Sequence, residues 1–117
     1  MSFLSIILTI IVALEHVYIM YLETFATQSE TTGRVFKMSA EERSRKSVTT
    51  LFQNQGIYNG IIGLFLLIGL VLGLKSVVLF YLVNVVLAAA YGALTSDKAI
   101  LFKQGGPAIL ALLSFLL

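Results

Sequence analysis

The chain has no cysteine and no tryptophan, one histidine and one proline. Without thiols there is no disulfide, no thiolate nucleophile and no cysteine-ligated metal. A single imidazole excludes a multi-histidine metal site within one chain. Charge is also scarce. Asp, Glu, Lys and Arg make up 12% of the residues, about half the usual share of a soluble domain. Apolar residues take their place at 58%, and mean hydropathy is +0.95. A soluble fold of 117 residues could not hide so much apolar side chain, because small folds keep a large surface for their volume. The sequence therefore reads as one domain, residues 1–117, with a lipid bilayer as its solvent. The net charge of +2 comes mainly from one loop, so the basic isoelectric point does not indicate nucleic acid.

A helix needs about 20 apolar residues to cross the hydrocarbon core. Four stretches are candidates, at about 3–25, 52–74, 76–94 and 99–117. The expected fold is an all-α membrane protein. It is a four-helix transmembrane bundle with a basic cytoplasmic loop, or helix extension, between helices one and two. The last stretch is interrupted by Lys103, Gln104, Gly105, Gly106 and Pro107, which allows a half-helix or a break near Gly106. The first lacks a basic leader and a small-residue cleavage site, and it reads as a retained helix.

Arg34, Lys37, Arg43, Arg45, Lys46, Lys98 and Lys103 would all lie on one side of such a bundle, and Lys75 on the other. The positive-inside rule then gives a multi-pass protein of the cell membrane. Loops one and three are cytoplasmic and both termini are outside. Within the first loop, Ser39 and Glu42 have capping-box spacing. A helix is expected from about Ala40, running on into the second span. Its Arg43, Arg45 and Lys46 would then either meet anionic lipid headgroups or simply be solvated.

Against this apolar background the polar residues stand out. Glu15, His16 and Glu23 lie in the first span, and a charge at such depth usually faces a bundle interior and often marks function. His16 and Glu23 are seven residues apart and share a helix face; Glu15 and Tyr18 occupy a neighbouring one. The second span opens with Asn54, Gln55, Tyr58 and Asn59, an amide-rich arc at the depth of Glu23. Asn84 lies near the centre of the third span, with Tyr91 two turns on along the same face. Together these side chains suggest an intramembrane polar pocket. Each also has a plainer reading. Glu23 could snorkel to the interface, and the amides could pin helices together through hydrogen bonds. Gly56/Gly60, Gly69/Gly73 and Ala88/Gly92 have small-xxx-small spacing, which serves packing within one chain as readily as a homodimer.

The segments "EHVYIMYLE" at 15–23 and "NQGIYNG" at 54–60, with the four short spans, resemble the small membrane family catalogued as domain of unknown function 1304. The resemblance covers almost the whole chain. It implies a four-helix integral membrane protein and emphasises His16, Glu23, Asn54, Gln55, Tyr58 and Asn59; it implies no activity. In general arrangement only, the chain is similar to sterol isomerases, which place Glu, His, Asn and aromatic groups in an intramembrane cavity. The small multidrug transporters also have four short helices and a carboxylate in the first, but they lack this long basic loop and the extra amides.

Three functions compete on this reading. The first is a proton-linked transporter of a small or lipophilic ligand. Here Glu15, His16 and Glu23 handle protons, Asn54, Gln55, Tyr58, Asn59, Asn84, Tyr18 and Tyr91 contact the ligand, and a homodimer encloses the path. The second is a membrane enzyme doing acid–base chemistry, isomerisation or hydration, on a lipid-like substrate, with His16 as acid or base and Glu15 or Glu23 as its partner. The third is a structural or regulatory subunit. No cofactor and no metal is expected under any of them, and membrane lipids are the only partners common to all.

Overall fold

In the computed structural model, which describes residues 1–117, every regular element is helical. Helix α1 spans Phe3–Met20 and continues as one π turn over Tyr21–Phe25. Two short helices follow, α2 at Glu30–Phe36 and α3 at Ala40–Ser44. Helix α4 covers Lys46–Val71 and α5 covers Lys75–Thr95. A second π turn at Leu101–Gly105 leads into α6, Gly106–Ser114.

Three helices are long and apolar enough to cross a membrane: Phe3–Phe25, Lys46–Val71 and Lys75–Thr95. Around α4 and α5 apolar residues point in every direction, as they do when lipid covers the outer faces. Phe3, Leu51, Phe80, Leu87 and Leu110 are each more than half exposed, an apolar surface that suits acyl chains.

The expectation of four spans is corrected to three. The fourth stretch, 99–117, is helical only to Ser114, a run of about 24 Å against a hydrocarbon core of about 30 Å. It does not break at Gly106, however, where the backbone stays right-handed helical. Pro107 sits in the first turn of α6. The wider π turn before it eases the ring's clash with the preceding carbonyls, so the helix passes the proline without a break.

The chain forms two compact units, Met1–Glu15 with Ile62–Leu117, and His16–Ile61. In the first, Val12 and Ala13 of α1, Leu66 of α4, Val78, Leu82 and Val85 of α5, and Ala108 and Ala111 of α6 form one core. Helices α4 and α5 join through a tight hairpin. Gly73 takes φ 68°, the Leu74 N–H reaches the Gly69 carbonyl at 2.8 Å, and the Gly73 N–H reaches Leu70 at 3.2 Å. These are the paired bonds of a Schellman cap, which needs a residue without Cβ strain at its left-handed position. Helix α6 ends where α1 begins, with the buried Ser114 hydroxyl donating to Ser5 Oγ at 2.9 Å. Lys75 lies 5.9 Å from the centre of the Phe115 ring, a cation–π approach beside the hairpin.

The second unit is held by hydroxyls. The π turn bonds the Ala26 N–H to the Tyr21 carbonyl, out of step with α-helical pairing. Thr32, fully buried in α2, bridges the carbonyls this disturbs: its hydroxyl is 2.7 Å from Ala26 O and 3.2 Å from Leu22 O. Ser29 caps α2 by accepting the Thr32 N–H. The Phe36 and Phe52 rings pack at 5.2 Å.

The capping box at Ser39 and Glu42 is present with both bonds, but α3 does not run on into α4. Arg45 is extended at φ −68°, ψ 129°, and the helix restarts at Lys46. The β-branched Val48, Thr49 and Thr50 weaken helical continuity here, and Thr49 Oγ1 bonds back to the Arg43 carbonyl. Nor is Arg43 a free lipid contact, because its guanidinium holds the carbonyls of Gln28 and Met38. The backbone N–H of Ser39, and then its hydroxyl, keep the Glu42 carboxyl below its ordinary value. Because that value is depressed in the fold, the cap is complete above the usual carboxylate range and is lost as pH falls through the lowered value. The protection of the Ala40–Arg43 amides, relative to their intrinsic exchange at each pH, is thus expected to fall on acidification, and Glu42→Gln to remove that pH dependence.

Candidate functional site

The central pair is Glu23 and Asn59. Glu23 lies in the π turn, is 3% exposed, and accepts a hydrogen bond from Asn59 Nδ2 at 2.6 Å. Two features allow the approach. The π turn rotates Glu23 inward to face α4. Gly56, one turn before Asn59, has no side chain, so the α4 backbone closes directly on Thr24 and Glu23. Thr24 then donates to the Gln53 carbonyl at 3.0 Å, and the Thr27 hydroxyl to the Glu23 carbonyl at 2.6 Å. Gly60, next along the same face, meets the Met20 thioether. The Gly56/Gly60 spacing therefore serves packing within the chain.

In the same unit an open hollow of about 330 Å³ is lined by Thr24, Thr27, Ser29, Thr49 and Gln53, among others. Phe25 and Ala26 complete a lining that is otherwise hydroxyl and amide, with no charged residue. Of these residues the candidates named from the sequence included none. The clue was the run "TFATQSETT" at 24–32, whose hydroxyls recur too often for a solvated linker.

His16 is buried in the same unit, also 3% exposed. Glu15 belongs to the first unit, where its Oε1 is buried without a hydrogen-bond partner, as is Thr9 Oγ1. The remaining candidates lie on outer faces. Asn54, Gln55 and Tyr58 are exposed on α4, Tyr58 at 65%. Tyr18 on α1 and Asn84 and Tyr91 on α5 are exposed as well. The structure thus brings Glu23 and Asn59 together and buries His16, while most of the amide arc turns outward.

The family profile described as "Protein of unknown function (DUF1304)" matches residues 10–116. The chain belongs to this family. It is also 56% identical over 116 residues to the "Uncharacterized protein YpaA" of Lactococcus lactis subsp. lactis (strain IL1403), covering 97% of this chain and 98% of the relative. No solved structure matches it significantly. For the DUF1304 fold, the Glu23–Asn59 pair is therefore described from this chain's own geometry. Its chemistry is that of a carboxyl group held by a neutral amide. Asn59 orients one oxygen without neutralising the group, so the carboxyl remains able to exchange a proton or to attract a cation.

Proposed function

We propose that this protein is a multi-pass integral membrane protein that moves a small lipophilic solute in a proton-linked cycle. In this reading α1, α4 and α5 cross the membrane while α6 packs against them without crossing, the two basic segments face the cytoplasm, and the N-terminus lies outside. The observation that carries it is the buried Glu23 carboxyl, paired with Asn59 rather than with a basic residue, inside a helix apolar enough to span lipid. An ionisable group at such depth is costly as scaffolding, where Ser or Asn would serve. The uncharged hollow beside it supplies a cytoplasmic vestibule. His16 gives the path a second proton-handling group. Asn54, Gln55 and Tyr58 are exposed on α4 and lie outside the hollow's lining. An enzyme would require those three groups to turn toward His16 and is less well supported by their exposure.

Reconstituted protein tests this reading. Liposomes with an internal pH dye and an imposed proton gradient should take up tetraphenylphosphonium, a lipophilic cation, with matching proton movement. Glu23→Gln should lower the rate at least about tenfold, the scale of losing one essential proton carrier. Equal, gradient-independent uptake by both proteins would refute it.

A further inference from the structure

We propose that Asn84 lies at the centre of a two-fold interface between two copies of this chain within the membrane. Asn84 sits in the middle of α5, about 14 Å from its Lys75 end and about 17 Å from its Thr95 end. It therefore lies near the bilayer midplane if α5 crosses. Yet its side chain is exposed and makes no hydrogen bond within the chain. Acyl chains offer no partner, and an unsatisfied amide in hydrocarbon costs several kcal/mol.

The surroundings indicate what supplies the partner. Phe80, Asn84, Leu87, Tyr91 and Leu94 are all exposed and recur at alternating steps of four and three, the spacing of a helix–helix seam. Phe80 is 75% exposed and Leu94 88%, so the protomer covers neither. Ala88, one turn after Asn84, is small and exposed, which permits close backbone approach. No charged residue occurs between Lys75 and Asp97, so two such faces do not repel.

A second copy fits this seam better than an unrelated protein. A two-fold axis along the membrane normal sets each residue against its own counterpart at the same depth. Asn carries both a donor and an acceptor, so two Asn84 side chains satisfy each other reciprocally. A single seam Asn is also the device that fixes register in paired helices. An unrelated partner would need a polar group at that same depth. The proposal rests on α5 spanning the bilayer and is independent of the transport reading.

Because the chain has no cysteine, one introduced thiol can form only an intermolecular disulfide. Ala88→Cys in native membranes should give a cross-linked homodimer on mild oxidation. Leu64→Cys, exposed on α4, should not. Adding Asn84→Leu to Ala88→Cys should lower the cross-linked fraction about tenfold, the scale of one interhelical amide pair, and Asn84→Gln should largely retain it. Cross-linking of Ala88→Cys no greater than that of Leu64→Cys, or products containing a different protein, would overturn the proposal. That comparison needs no change at Asn84, so it decides even if Asn84→Leu inserts poorly.

Discussion

Asn59→Leu is expected to destabilise the protein by about 2 kcal/mol, and the double variant Glu23→Leu/Asn59→Leu to recover most of that loss. The single change removes the amide 2.6 Å from Glu23 Oε1 and leaves a buried carboxyl without its donor. Stranding a buried acceptor costs about 1–3 kcal/mol, and more when it is charged. Replacing both partners with apolar groups of similar size removes the need for the bond, and this can be nearly neutral. Thermal unfolding in detergent, followed by far-UV circular dichroism, would show the pattern. If the double variant melts no higher than Asn59→Leu, the cost lies in packing and the pair is not coupled.

The second large effect is expected at Gly56, and its size is best seen against Gly60. A methyl group at Gly56 would run into the Thr24 hydroxyl and would lie 3.0 Å from both Glu23 Cβ and the Thr24 backbone nitrogen. Backbone atoms cannot rotate away, so Gly56→Ala should cost about 2–3 kcal/mol through separation of α4 from the π turn. At Gly60 the main obstruction is the end of the Met20 side chain, a flexible thioether. Ala also favours a helix over Gly by about 1 kcal/mol. Gly60→Ala should therefore be close to neutral. Equal losses at the two sites in the same melting experiment would contradict the close approach at Gly56.

The contrast between these glycines shows what the sequence could and could not reveal. GxxxG spacing announced a tight helix contact at 56 and 60, but not which neighbour filled it. The three long helices were legible because about twenty apolar residues leave the backbone no other partner than itself. The Ser39–Glu42 box was legible because capping is local. The fourth stretch was misjudged on apolar content alone, when its helical length was limiting. The break at Arg45 depends on competing hydroxyl bonds, and helix α2 depends on Ser29 and Thr32 reaching the π turn. Such contacts have no signature in hydropathy. Of the candidate site, depth was readable but direction was not. Residues 54, 55, 58 and 59 all lie at one level, and only Asn59 meets Glu23, because facing is decided by how helices rotate against one another.

The π turn at Tyr21–Phe25 has a consequence for chain length. Such a turn amounts to one surplus residue accommodated in an otherwise α-helical ladder. Deleting Tyr21 would let the ladder close regularly, and each later side chain would swing by about 100° about the axis. Asn59 would then confront a different neighbour, although no residue of the pair had been altered. A relative one residue shorter at this point could keep both the glutamate and the asparagine and still lose the carboxyl–amide contact.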